Sequence, residues 1–454
     1  MKKIARLFCL VISIAMMIGL FAGCSSGNQT QQGGQTSNDT NKTPAEEQKQ
    51  SVEEKKEPVT ITVHSWDNEY AIINVTEKFN ETHNDIKVNL VLTPWNDYQD
   101  KLFTSLAGGE DIDAYFIRVL EAFNTYASKG LIYPLDDMIK KDGFDLSIYG
   151  GYVDQLKVDG VTYAIPYRGA GTYLFYNKEA FDKAGLPYPT ERLTWNEYRE
   201  MTKKLTSGEG ADKMYGGFFQ PTIYHFFLIP AMQKGVKIVN DDYTTDINSP
   251  EVRKALEFVL ALSEEDKSHP TYAEMKATNM GTTSSFVTGR VATVIAGEWF
   301  AGTLKSQKES GNFTFDWGLT YLPCDTDEYV SLGLATKGCV NADAKHPEEA
   351  FEFLKYVGGL EGQAIIAEAG SKPVYVNDEI IKTFAESLGF DDFEKKLYFA
   401  NVKMTHEPVN LGGSYASQII SEELSLYLTK SQNIDKTMDN MYKRLDEALK
   451  EIRK

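Results

Sequence analysis

The 454-residue chain reads as an α/β protein whose mostly parallel sheets, flanked by helices, are divided between two lobes. Two observations predict this. Strand and helix patterns alternate from residue 59 to residue 117, as in a parallel sheet with helical crossovers. The globular part from Pro58 onward, roughly 400 residues, also exceeds what one hydrophobic core usually serves.

The elements follow in order. Val59-Thr60-Ile61-Thr62-Val63 is β-branched and alternating, which predicts a strand. Ile72, Val75 and Phe79 recur at helical spacing, and that helix ends near His83-Asn84-Asp85. Ile86 to Leu92 alternates again. Tyr98 to Ala107 is helical and stops at Gly108-Gly109, and Ala114 to Ile117 is a short apolar strand. Gly160 to Tyr167 reads as a turn feeding a strand, and Thr172 to Tyr176 as another strand. Lys178 opens a helix closed by Gly185. Asn248-Ser249-Pro250-Glu251 predicts a helix start: Ser249 caps free backbone N–H groups, and Pro250 sits where its missing donor costs nothing. Val291 to Ala296 is expected as a buried strand, and Pro347 to Gly358, Ser417 to Leu428 and Asn433 to Ile452 as helices. Asp241-Asp242 with Asp246 and Asn248 lacks the spacing of a calcium-binding loop and reads as a turn.

The N-terminus has the anatomy of an export signal. Lys2, Lys3 and Arg6 precede an apolar run from Leu7 to Leu20, roughly 14 residues and too short to span a bilayer as a helix. The run ends in Phe21-Ala22-Gly23-Cys24, which resembles the lipobox of bacterial lipoproteins. Phe21 stands where that motif prefers Leu. The resemblance implies that residues 1–23 are removed and that Cys24 carries lipid, with fatty chains such as palmitate holding the protein to the membrane. From Ser25 to about Glu57 the chain is rich in Ser, Gly, Gln, Asn, Thr and Glu and has no aromatic residue. Such a stretch buries too little surface to offset its ordering entropy, so residues 24–57 are expected to form a flexible tether.

The formal net charge of −18 argues against nucleic acid as a partner, because phosphate binding needs a cationic surface. Of the four cysteines, Cys9 would leave with the signal and Cys24 would carry lipid. Cys324 and Cys339 remain, either as a disulfide or as a free buried pair; the sequence leaves both open. No zinc spacing, GxSxG elbow, P-loop or GxGxxG occurs, and no cofactor, metal or catalytic residue is expected.

Several segments together resemble the bacterial extracellular solute-binding protein family that includes maltose-binding protein and multiple-sugar-binding lipoproteins. They are Thr62-Val63-His64-Ser65-Trp66, Phe79 to Val88, Tyr98 to Leu102 with Gly108 to Asp113, and Asp159 to Arg168. Leu174 to Lys178, Phe181 to Leu186, Leu193 to Tyr198, Phe286 to Thr293, Gly297 to Phe300 and His346 to Leu354 continue the match in the same order. Ile112 stands where the family usually has Pro, and Thr293 where it usually has Met.

The resemblance implies a periplasmic-binding-protein-like clamshell that closes on a ligand at its hinge. One lobe is expected from 58–167 with 322–360, the other from 168–321 with 361–454, with crossings at Ile165-Pro166-Tyr167 and Leu319 to Pro323. The implied function is carbohydrate delivery to the permease of an ABC importer from the outer face of the cell membrane. The alternatives are a binding protein for a peptide, polyamine or other small solute, and a tethered glycoside hydrolase. A hydrolase would need two carboxyls about 5–5.5 Å apart for retention or about 6.5–9.5 Å apart for inversion, which sequence alone does not exclude.

A sugar presents apolar C–H faces and a rim of hydroxyls, so its site needs aromatic platforms and directional polar side chains. With 25 Tyr, 24 Phe and 5 Trp, the chain has aromatics to spare beyond its cores. Trp299 ends an apolar strand, where ligands of α/β sheets gather, and the resemblance gives it the stacking role; plain core packing is the alternative. Tyr415, after Gly412-Gly413, is a second stacking candidate. Trp66 and Asp67 follow the first strand, Asp67 either accepting from hydroxyls or capping a helix. Arg118 follows the third strand, while Arg168 either meets ligand or forms an ion pair between lobes. Gln220 and Tyr224 are the second lobe's candidates, and Glu298 either bonds a hydroxyl or neutralises an arginine.

Overall fold

The computed structural model describes residues 57–453 except 67–69, 96, 118–120, 220–223, 334, 407 and 409. The expected signal, Cys24, all but the last residue of the tether, and Asp67, Arg118 and Gln220 lie outside the described residues.

Among the described residues the strands are β1 (Val59–Trp66), β2 (Ile86–Thr93), β3 (Ala114–Ile117), β4 (Lys157–Val158), β5 (Val161–Thr162), β6 (Ile165–Arg168), β7 (Thr172–Asn177), β8 (Thr293–Gly297), β9 (Trp317–Tyr321), β10 (Val330–Leu332), β11 (Thr336–Val340) and β12 (Lys403–Thr405). A five-stranded sheet has the order β2-β1-β3-β11-β6. Its first three strands are parallel, β1 pairing with both β2 and β3 in that sense. β11 enters antiparallel to β3 and to β6. Ile61, Val63, Phe79 and Phe116 form its core with Phe353, which comes from the helix Pro347–Gly358.

Buried Asp113 ties this sheet together. Its carboxylate accepts from the backbone N–H of Thr62 at 2.9 Å and of His346 at 3.0 Å, joining β1 to the approach of that helix. Asp113→Ala leaves two N–H groups unpaired and is expected to cost about 2 kcal/mol, read as a lower melting temperature.

The second sheet is three-stranded, in the order β8-β7-β9. The parallel arrangement expected in both lobes holds only in the first, because β7 runs antiparallel to both neighbours. Its partners arrive from segments more than a hundred residues further on, so the local strand–helix alternation says nothing about their direction. Apolar packing on this side includes Leu174, Trp195, Phe227 and Ile295 in one cluster and Phe175, Phe286 and Phe300 in another.

The return to the first sheet expected at Leu319 to Pro323 occurs later. Leu322 and Leu332 pack in the second side's core, and β10 pairs with β12. Ser331 Oγ donates to the Thr172 carbonyl at 3.0 Å, so the chain leaves this side between β10 and β11. The reason is packing: Leu322 and Leu332 find their apolar partners there. Two further expectations resolve differently. Ser249 sits at the N-cap of the helix Pro250–Glu264 but makes no side-chain cap bond. Cys324 and Cys339 are buried and free.

Candidate functional site

The site grows from where β6 passes into β7 and where β8 ends. Arg168 is the last residue of β6, in the first sheet, and Glu298 follows β8, in the second. Gly297 at the end of β8 lies opposite Thr172 at the start of β7, which places Glu298 beside the link from β6 to β7. Arg168 Nη1 donates to Glu298 Oε1 at 2.6 Å, with both side chains about nine-tenths buried. Arg168 Nε also donates to the Tyr167 hydroxyl at 2.9 Å. The guanidinium carbon stands 5.9 Å from the centroid of the Trp66 ring, and that ring meets Tyr98 edge-on at 5.4 Å. Trp66, Arg168, Glu298 and, next in the chain, Trp299 are thus drawn into one connected group spanning the two sheets.

Glu298 occupies the N-cap of the helix Trp299–Glu309 without capping it, its carboxylate being turned to Arg168 instead. Trp299 meets Phe300 edge-on at 5.5 Å and keeps 36 % of its surface exposed. Its indole folds back over Gly297, where an added Cβ would come 2.7 Å from Nε1. Gly297 is therefore the residue that lets the ring lie close to the backbone, and Gly297→Ala is expected to displace it.

The other expected residues fall in two groups. Tyr415 is exposed in the first turn of the helix Gly413–Leu428. Tyr224 opens the helix Tyr224–Met232 and is buried with Trp195 and Phe227, a core position in this conformation. Two aromatics escaped the sequence reading: Tyr70, 48 % exposed just beyond β1, and Trp95, 38 % exposed just beyond β2. The rule that selected Trp66, ligand beyond the carboxyl ends of parallel strands, also selects Trp95 when applied to β2.

His269 is buried against Phe219 and Tyr198 on the second side. It stacks on Phe219 at 5.1 Å and lies 2.8 Å from the Tyr198 hydroxyl. Burial pushes its pKa down to about 3, partly opposed by Asp266. Its folded-state pKa lies below the unfolded value, so the unfolded chain binds the extra proton first and stability falls as pH drops from about 6.5 toward 3. His269→Phe is expected to flatten that acid limb, checked by melting temperature against pH.

A separate cavity of about 680 Å³ is lined by Asn124 and Asp159 on one side and Val239, Tyr243, His406 and Asn410 on the other. None of the expected ligand residues lines it. Among the described residues no cluster of three or more His, Cys, Asp or Glu is placed to hold a metal ion.

One largely parallel sheet and a second sheet joined to it by several chain crossings, with aromatic and charged residues gathered at one of them, fit the two-lobed architecture of a binding protein. The chain belongs to the family of bacterial extracellular solute-binding proteins, which residues 65–364 match. It is similar to the lactose-binding protein of Rhizobium radiobacter, with 27 % identity over 330 residues, 68 % of this chain and 74 % of the relative. An ABC substrate-binding protein of Listeria monocytogenes, solved in complex with cycloalternan, superposes with a TM-score of 0.77 and 27 % identity, covering 86 % of this chain and 99 % of that one. A sugar transporter from Rhizobium etli in an open conformation gives 0.70 and 27 %, covering 85 % and 99 %. The family is one of binding proteins that act outside the cytoplasm.

Proposed function

We propose that the chain is a carbohydrate-binding lipoprotein that takes a sugar or oligosaccharide and delivers it to the permease of an ABC importer. The observation that carries this reading is the exposed Trp299 indole set beside the buried Arg168–Glu298 pair, one partner from each sheet. An indole face offers an apolar platform to the C–H face of a pyranose, and Tyr415, Tyr70 and Trp95 add exposed rings. Asp67, Arg118 and Gln220 would supply hydroxyl contacts. Lactose and cycloalternan, named for the two relatives above, are both saccharides.

Ligand contacts from both lobes are satisfied together only when the lobes approach, so binding would favour a closed state that the importer reads. The lobes we propose are 58–167 with about 333–360 and 168–332 with 361–454, the return to the first lobe being set after β10 because Leu322 and Leu332 pack in the second side's core. Cys24 would carry the lipid anchor, and Cys24→Ser is expected to release the protein from membranes into the medium.

A thermal-shift screen of mono- and oligosaccharides tests the reading. A ligand of the folded state adds RT ln(1 + [L]/Kd), about 2.7 kcal/mol at a hundredfold excess over Kd. At least one saccharide is expected to raise the melting temperature. A shift with peptide or polyamine alone contradicts the substrate class, and steady release of cleaved sugar contradicts a binding role.

A further inference from the structure

Lys372 is buried, with only 6 % of its surface exposed, and no carboxylate of a described residue forms an ion pair with it. Its ammonium donates to the Ala170 carbonyl at 2.9 Å and to the Tyr173 hydroxyl at 3.0 Å. Both acceptors belong to the link between the two sheets or to the strand it feeds. The Lys372 carbonyl closes the loop by accepting from the Gly169 N–H at 2.7 Å. Gly169 is needed here, since an added Cβ would stand 2.9 Å from the Tyr152 hydroxyl and 3.1 Å from Lys372 Cγ.

From Tyr173 the contacts lead to Trp299. The Tyr173 hydroxyl donates to the Tyr398 carbonyl at 3.2 Å, and the two rings stack at 4.8 Å with 8° between their planes. The Tyr398 hydroxyl donates to the Glu298 carbonyl at 2.7 Å, while the Glu298 N–H donates to the Gly171 carbonyl at 2.8 Å. The backbone of Glu298, immediately before Trp299, is thereby held from two sides, and Lys372 anchors both. An apolar side chain would fill the same space without the penalty of desolvating a charge, so packing alone does not account for a lysine at this position.

We propose that Lys372 is a positioning residue for the ligand site: its buried ammonium fixes the turn at 169–171 and, through Tyr173 and Tyr398, the turn that presents Trp299. The inference rests on the carbohydrate reading above. Lys372 touches no ligand in it and acts only through these groups.

The ammonium is also poised to titrate. Burial lowers its pKa to about 8, opposed by the nearby Glu298 carboxylate. The other groups around it are Arg168, paired with Glu298, and the phenols of Tyr152, Tyr173 and Tyr398, which burial pushes above their usual range. Charge-assisted hydrogen bonds are roughly twice as strong as neutral ones, so losing this proton loosens both turns. Stability moves the other way. A lysine whose folded-state pKa is depressed makes the folded state more stable as pH rises from about 8 toward its unfolded value, because the unfolded chain keeps the proton longer. A lysine with only a packing role predicts that rise in stability and no change in affinity.

The test measures Kd for the best saccharide of the thermal screen between about pH 6.5 and 9.5, using the full chain, Lys372→Met and Tyr398→Phe. Lys372→Met is expected to bind on the order of tenfold more weakly and to lose the pH dependence. The unsubstituted chain is expected to bind more weakly above pH 8. Tyr398→Phe, which keeps the stacked ring and removes the hydroxyl on Glu298, is expected to weaken binding several-fold; it decides the matter if Lys372→Met fails to fold. Affinity unchanged in the folded variants, or a flat pH profile alongside shifting stability, overturns the inference while leaving the carbohydrate reading intact. Failure of the unsubstituted chain to bind any saccharide overturns both.

Discussion

Trp299→Ala is expected to weaken saccharide binding by roughly tenfold to a hundredfold without destabilising the fold. The ring is 36 % exposed, so truncating it removes little of the core that holds the helix Trp299–Glu309, whose Phe300 and Leu304 are fully buried. What is lost is the stacking face. Burying an aromatic face against a ligand contributes on the order of 1.5–3 kcal/mol, which sets that range in Kd. Titration calorimetry checks the affinity and a melt checks the fold. Equal affinity in the two proteins would remove Trp299 from the site.

Arg168→Met is expected to be the most destabilising of these substitutions. It removes the 2.6 Å partner of a carboxylate that is about nine-tenths buried. Breaking a buried pair from one side costs about 3–5 kcal/mol, whereas replacing both members by apolar groups is often neutral. Arg168→Met combined with Glu298→Leu is therefore expected to recover much of the lost melting temperature while binding stays impaired. The double substitution separates the pair's role in stability from its role in shaping the site. A single Arg168→Met variant as stable as the unsubstituted chain would show that the pair does not hold the two sheets.

Much of the fold is legible in the chain because its signals are local. The helices Tyr98–Ala107 and Pro347–Gly358 have the limits that their apolar periodicity and flanking residues predict. The helix Lys178–Ala184 stops at Gly185 in a left-handed conformation, as glycine at that position implies. What escaped is non-local. The antiparallel setting of β7, the insertion of β11 between β3 and β6, and the late return after Leu332 depend on which distant segments find each other. Nothing in the pattern of a single strand encodes its partner.

The candidate site divides along the same line. Trp66, Arg168, Glu298 and Trp299 lie at strand ends, and the structure joins the first three, with Trp299 next in the chain, although β8 belongs to an antiparallel sheet that the rule for parallel sheets does not cover. The choice between a free Arg168 and a paired one depended on where Glu298 arrives from 130 residues further on. Tyr224, read as a ligand contact, is packed among Trp195 and Phe227, because the helix it opens turns that face to the core. Lys372 carried no signal at all, being a single lysine whose burial only the assembled crossings create.

Whether a saccharide lies against Trp299 between the two sheets is tested most directly by a crystal structure of the complex with the best saccharide of the screen. The predicted result is a pyranose ring face to face with the Trp299 indole, with hydroxyl contacts from both lobes and the Arg168–Glu298 pair intact beneath it. Density for the sugar elsewhere, with the Trp299 ring still open to solvent, would contradict it.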